Sequence, residues 1–187
     1  YFTDVTVTEG SAGYINTAYE YGIVSGDEMG RFLPQSPVTY HEACKMFVIV
    51  LGYRQAADSI GGWPYGYVKQ CSRLGILSGV DTSESEMTYR GIFEMLYNSL
   101  EVPYINMGTG ADTTYIISEM SVLETFYDVS LGTAIVEGNQ YTNIYGGVGG
   151  KDAADGELVI GGEVYKTYEN ELEMLGMCVD YYYKTDK

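Results

Sequence analysis

Residues 39–52 read TYHEACKMFVIVLG, and 49 positions later residues 88–101 read TYRGIFEMLYNSLE. The first stretch has the grammar of a short buried helix. Thr39 stands at the N-cap, and Glu42, three places on, can reach back to the N–H of the cap, which makes a capping box. Ala43, Met46, Phe47, Val50 and Leu51 then recur at helical spacing and predict the apolar face, and Gly52 supplies the left-handed residue that ends the helix. The second stretch predicts the same face in Ile92, Met95, Leu96, Ser99 and Leu100. Its cap is weaker, because Gly91 replaces the glutamate.

A second pair of matching segments lies upstream. YINTAYEYGIVSG (residues 14–26) and YVKQCSRLGILSG (residues 67–79) align at an offset of 53. In the first, Ile15, Ala18, Tyr19 and Gly22 have i, i+3, i+4, i+7 spacing, with the glycine ending a helix. The offset falls from 53 to 49, so the second copy has a connector four residues shorter. It lacks the turn DEMGRFLP of the first, in which Gly30 and Pro34 are the breakers.

A helix, a Gly-Ile-x-Ser-Gly exit, a loop and a capped helix, twice in order, resembles the S-layer homology family. The residues that carry the resemblance in the first unit are Phe2-Thr3-Asp4-Val5, Tyr14-Ile15, Gly22 to Gly26, Phe32-Leu33-Pro34 and Val38-Thr39 through Glu42. In the second they are Gly61-Gly62-Trp63-Pro64, Gly66-Tyr67, Leu74 to Leu77 and Leu96-Tyr97-Asn98. The resemblance covers roughly residues 1–103 and implies two tandem helical units, 1–53 and 54–103. It also implies non-covalent binding of a cell-wall secondary polymer in grooves between units, three of which commonly form a pseudo-threefold bundle. Carried over, Asp4 matches the family's aspartate, Trp63 its tryptophan, Thr39 and Glu42 the ends of its T-R-A-E motif, and Thr88 the first residue of that motif. The arginine position of the motif is Tyr40 in one copy and Tyr89 in the other. A tyrosine stacks or donates one hydrogen bond but does not pair bidentately with a carboxylate. Arg90 follows one place later, about a third of a turn away.

Beyond residue 103 the character changes. Residues 104–130 read as a linker holding a TTYII strand and a helix, SVLETFYDV, that Ser121 and Glu124 can cap. Residues 131–187 read as a small antiparallel sheet or barrel of about five strands. Thr133–Glu137 and Tyr141–Tyr145 surround a Gly138-Asn139 turn, Glu157–Ile160 and Glu163–Tyr168 flank the hairpin pair Gly161-Gly162, and MCVDYYYK follows the acidic segment NELEMLG. The expected class is therefore α+β.

Composition narrows the function. The 187 residues are 45% hydrophobic, which suits a folded chain. With 26 acidic and 10 basic residues the formal net charge is −16, which argues against nucleic acid, whose phosphates require Lys and Arg, and against an anionic membrane surface. Membrane insertion is not expected, because the longest apolar run, MFVIVLGY, falls short of the ~20 residues a spanning helix needs. The chain starts at Tyr1 on a motif, without methionine, and so reads as a processed or excised piece of a secreted protein.

No catalytic, metal or cofactor motif emerges. His41 reads as a solvated first-turn residue. Cys44, Cys71 and Cys178 form no C-x-x-C, and Cys71, at the repeat position of Ala18, reads as a small buried apolar side chain rather than a disulfide partner or metal ligand. Gly146 to Gly150 lacks the Lys-Ser/Thr of a phosphate loop. Asp81, Glu84 and Glu86, and Asp152, Asp155 and Glu157, lack the alternating oxygens of a calcium loop. The expectation is a non-enzymatic, extracellular cell-wall protein that holds wall glycan through Trp63, Tyr40 and Tyr89 as stacking residues and Asp4 and Arg90 as polar ones. The rival expectation is a structural or assembly protein whose units contact other proteins, copies of itself included.

Overall fold

The computed structural model describes residues 1–6, 10–106, 116–146, 150–151, 153–167 and 172–184. They form two compact units, Tyr1–Thr125 and Phe126–Lys187. Mixed helix and antiparallel sheet make the chain α+β.

In the first unit, α1 (Ala12–Glu20), α2 (Tyr40–Val50), α3 (Arg54–Ser59), α4 (Tyr65–Arg73) and α5 (Tyr89–Ser99) are followed by the antiparallel pair β1 (Pro103–Asn106) and β2 (Ile116–Ser121), then by α6 (Val122–Tyr127). The capping box of α2 is complete: the Thr39 hydroxyl accepts from the Glu42 N–H, and the Glu42 carboxylate accepts from the Thr39 N–H at 2.8 Å. At α5 only half of it exists, the Gly91 N–H donating to Thr88 Oγ1. Ser121 and Glu124 form the expected reciprocal pair at α6. Of the strand read in TTYII, residues 113–115 lie outside the described residues. Helix α3 was not anticipated; it is a single short stretch between glycines, too brief to show a period.

The exits of α1 and α4 have the same wiring. Tyr21 donates to the Thr17 carbonyl, Gly22 to Tyr19 and Ile23 to Ala18, and 53 positions on Leu74 donates to Gln70, Gly75 to Ser72 and Ile76 to Cys71. Gly22 and Gly75 have φ of 66° and 75°, the left-handed turn that lets the N–H of the next residue close back on the last helical turn.

The core of this unit gathers Ala43, Cys44, Val48, Ile49 and Leu51 from α2 and its end, Tyr67 and Cys71 from α4, Ile76, Met95, Val102 and Ile105. The predicted face of α2 is therefore rotated. Cys44 and Val48 are buried while Val50 is exposed, because α4 packs on the Cys44 side. On α5, Met95 and Ser99 are buried as expected, but Leu96 is exposed. On α1, Ile15 is buried, whereas Tyr19 is partly exposed and stacks with Tyr1 and Phe2 instead.

In the second unit, β3 (Ser130–Gly138), β4 (Glu157–Ile160), β5 (Glu163–Lys166) and β6 (Cys178–Tyr183) form an antiparallel sheet in the order β5-β4-β3-β6. Ser130 to Ile135 pair with Tyr183 to Cys178, and Val136 and Gly138 pair with Ile160 and Val159 across a register shift. Gly161 and Gly162, at φ 58° and 80°, make the tight turn between β4 and β5. The edge strands β5 and β6 approach through their side chains, the Tyr165 ring lying 5.3 Å from Tyr181 and 5.5 Å from Tyr183, so the sheet curls. The Tyr165 hydroxyl, hydrogen-bonded to Tyr181, has its pKa pushed up to about 12.

Tyr141–Tyr145 is not a strand. Asn139 Oδ1 accepts from the N–H groups of Tyr141 and Thr142, and Asn143 Oδ1 accepts from Tyr145. These side chains take the donors a ladder would need and fold the segment into turns. Of NELEMLG, the described residues hold a 3-10 turn, Leu172–Met174. Tyr168, Gly147 to Gly149 and Asp152 lie outside the described residues.

Candidate functional site

The first unit brings one exposed aromatic, one cation and one hydroxyl together. Trp63 precedes α4 and is 52% exposed. Lys45, from the middle of α2, holds its ammonium 5.4 Å from the centre of the indole and 3.5 Å from Ser25 Oγ, in the exit of α1. Tyr67 meets Trp63 edge-on, its ring 6.4 Å away, and donates its hydroxyl to Asp58. Three separate stretches of sequence thus converge on an aromatic platform with a positive charge above it. In a chain of net charge −16 that cation stands out.

The other residues expected at a site have local tasks. Both Asp4 oxygens accept main-chain N–H groups, from Phe32 at 2.8 Å and Leu33 at 2.7 Å. These bonds, that from Phe32 foremost, hold its carboxyl below the usual carboxylate range. They also brace Leu33, a non-glycine residue at φ 59°, a conformation that costs roughly 1–2 kcal/mol without such support. Thr39 and Thr88 are caps, and Glu42 is occupied by the capping box. Tyr40 is half-buried against the core and stacks on His41, with 3.9 Å between ring centres. Tyr89 is 88% exposed at the start of α5. Arg90, itself exposed, pairs with the partly buried Glu94 at 2.8 Å on the same helix. No ring contact or hydrogen bond joins Tyr89 or Arg90 to Trp63 among the described residues.

Lys45, Ser25 and Arg54 were missed. Arg54 donates from Nη2 to the Gly22 carbonyl at 2.8 Å and so ties α3 to the exit of α1. The scarcity of basic residues was the available hint for both cations. Which ring or carbonyl each would meet depends on contacts across the fold. Asp81 accepts from the Ser83 N–H in a local turn, and no cluster of metal-ligating side chains occurs among the described residues.

Cys44 and Cys71 meet in the core with no exposure. Hydrogen bonding to Cys44, with burial, pushes the Cys71 thiol up. No helix among the described residues is long and apolar enough to cross a membrane.

Residues 1–44 match the S-layer homology domain. The chain is 33% identical over 131 residues, 70% of its length, to the middle cell wall protein of Brevibacillus brevis, and 31% identical over the same share to a surface layer protein of Brevibacillus choshinensis. It is 30% identical over 112 residues, 59% of its length, to a cell surface protein of Thermoanaerobacter kivui. These matches span 12% of each Brevibacillus relative and 14% of the third. No solved structure matches. The chain is a cell-surface protein, and through residues 1–44 it belongs to the S-layer homology family.

Proposed function

We propose that this chain attaches non-covalently to a secondary polysaccharide of the cell wall and catalyses no reaction. Two S-layer-homology units, 1–53 and 54–103, would make the attachment, followed by a linker, 104–130, and a small β domain, 131–187. The matched exits of α1 and α4 and the matched caps of α2 and α5 support a second unit beside the first. The observation that carries the reading is the half-exposed Trp63 under the Lys45 ammonium. A sugar offers an apolar C–H face to an indole, and an acidic substituent on it would find the ammonium within reach. Ser25 adds a hydroxyl for the ring oxygens. Tyr40, Tyr89, Asp4 and Arg90 remain candidates for glycan contact away from Trp63, and Thr39, Glu42 and Thr88 act by holding the helix starts.

Co-sedimentation with purified wall sacculi, before and after acid removal of the secondary polymer, tests this. Binding should vanish on stripping and weaken in Trp63→Ala and Lys45→Ala, with a smaller loss in Tyr40→Ala/Tyr89→Ala. Because Trp63 is half exposed, its removal should cost less stability than the ~3–5 kcal/mol of a buried large aromatic, so binding and folding can be read apart. Equal sedimentation of stripped and intact walls would overturn the proposal. One observation favours the assembly reading as an addition: α5 displays aromatic residues that no part of the described fold covers.

A further inference from the structure

Positions 49 apart on α2 and α5 have opposite fates. Cys44 and Val48 are fully buried on α2, where α4 packs and the Cys71 thiol meets that of Cys44. Their counterparts on α5 are Phe93 and Tyr97, 66% and 65% exposed, with the exposed Leu96 beside them. An aromatic and aliphatic patch of this kind on one helix face is a surface that seeks a partner.

The other half of the internal contact is also repeated and also bare. Helix α4 buries Gly66, Tyr67, Gln70 and Cys71; 53 positions earlier, α1 carries Gly13, Tyr14, Thr17 and Ala18. Tyr67 is 5% exposed and Tyr14 81%. A Cβ on Gly66 would strike the Ala57 carbonyl, whereas one on Gly13 would meet nothing. The described residues therefore make the α2–α4 contact once and show an unfilled half of it on α5 and another on α1.

We propose that α5 of one copy packs on α1 of a second copy, repeating the α2–α4 contact head to tail. Phe93 sits over Ala18 where Cys44 meets Cys71. Phe93 and Tyr97 are larger than Cys44 and Val48, while Ala18 and Thr17 are smaller than Cys71 and Gln70, so part of the added volume is taken up across the contact. The contact is heterologous, using different faces on the two copies, so each addition leaves one face of each kind free and the assembly grows as a chain or closes as a ring. Like charge opposes it, since every copy carries −16, so added salt should strengthen it. The proposal rests on reading residues 1–103 as two copies of one unit and does not depend on what that unit binds.

Two preparations of the full chain test it, both carrying Cys178→Ser to remove the exposed thiol, one with Phe93→Cys and the other with Ala18→Cys. Mild oxidation of the mixture should give disulfide-linked dimers several-fold above either preparation alone and above a control pair in which Met29→Cys, at an exposed turn, replaces Ala18→Cys. In sedimentation equilibrium the wild-type mass should rise with concentration and salt, while Phe93→Asp stays monomeric with an unchanged melting curve. Cross-linking no higher than the control, or a wild type monomeric throughout, would overturn the proposal. So would a Phe93→Asp variant that associates as the wild type does. Wall co-sedimentation of Trp63→Ala reads the anchoring proposal separately, so either can fail alone.

Discussion

Helices α2 and α5 start on the same Thr-Tyr pair and have the same length, yet they bury different faces. On α2 the buried stripe runs through Ala43, Cys44 and Val48, and on α5 through Gly91, Met95 and Ser99. Gly91, Met95 and Ser99 correspond to Glu42, Met46 and Val50, none of which is buried on α2, so the two stripes lie on nearly opposite sides of the helix, well over about 100° of rotation apart. Neighbours, rather than the sequence of either helix, decide the difference: α2 packs on α4, whereas on α5 a Cβ on Gly91 would meet the Met87 and Val80 side chains. A repeated sequence fixes the element and its cap, but the face it buries depends on what comes to lie beside it.

The sharpest way to break that comparison is to delete the same side chain from both helices. Met95 is fully buried and Met46, its counterpart, only half so. Met95→Ala should cost about 2–5 kcal/mol and Met46→Ala markedly less, measured by urea unfolding. Equal losses would mean that the two helices bury the same face after all.

The glycines of α1 and α4 come next. Gly66→Ala forces a methyl against the Ala57 carbonyl and should cost about 1–3 kcal/mol. Gly13→Ala adds one in open space within a helix and should stabilise by roughly 0.5–1 kcal/mol. Thermal melts at low protein concentration would show shifts of opposite sign. A loss at Gly13 would place an unseen neighbour against α1.

The caps and turns were legible in the sequence because they are local. A capping box needs only Thr39 and Glu42, and the exits of α1 and α4 need only a glycine at Gly22 and Gly75. The hairpin at Gly161-Gly162 is of the same kind. The misreadings share a different character. Val50 looked internal because its spacing fits one stripe, but the partner helix approaches from the Cys44 side. Tyr141–Tyr145 has strand-forming residues, yet Asn139 and Asn143 divert its N–H groups. In the same way Trp63 was visible as a platform while Lys45 was not, since a cation 18 residues earlier joins it only when α2 and the start of α4 meet.

The caps sharpen the comparison at a smaller scale. Thr39→Ala removes an acceptor and leaves Glu42 without its reciprocal partner, so it should cost about 1–2 kcal/mol, and Thr88→Ala, with its single bond, about 0.5–1 kcal/mol. If Thr88→Ala proves the costlier, the second glutamate-free cap is doing something besides closing the helix.

Thiol chemistry separates the two units without changing their stability. Cys44 and Cys71 are enclosed and Cys178 is exposed on β6. A native chain treated with an alkylating reagent should take up one equivalent at Cys178, and two more should follow only on unfolding. Rapid native labelling of Cys71 would show that the α2–α4 contact opens.

The smallest effect concerns the turn that the first copy has and the second lacks. Asp27 accepts from the N–H groups of Met29 and Arg31 and pairs with the Arg31 guanidinium at 2.7 Å, while Asp4 braces Phe32 and Leu33. The backbone bond from Arg31 foremost lowers the Asp27 pKa, as that from Phe32 does for Asp4, both from the usual 3.8. A carboxyl whose folded pKa is depressed contributes its stabilisation fully above the unfolded value, and loses it as pH falls through the folded one. The turn should therefore hold at neutral pH and loosen below about pH 3.8, whereas in residues 80–87, where Ser83 alone, its N–H foremost, lowers the pKa of Asp81, any acid step should be confined to Ser83. Amide exchange at Arg31, Phe32 and Leu33 as a function of pH, corrected for intrinsic rates, would read it. In Asp4→Asn the acid-dependent step at Phe32 and Leu33 should disappear and that at Arg31 should remain. Loss of both steps together would mean that the two aspartates act as one strap between the start of the chain and this turn, and that the first copy holds its long connector by a single cooperative clasp.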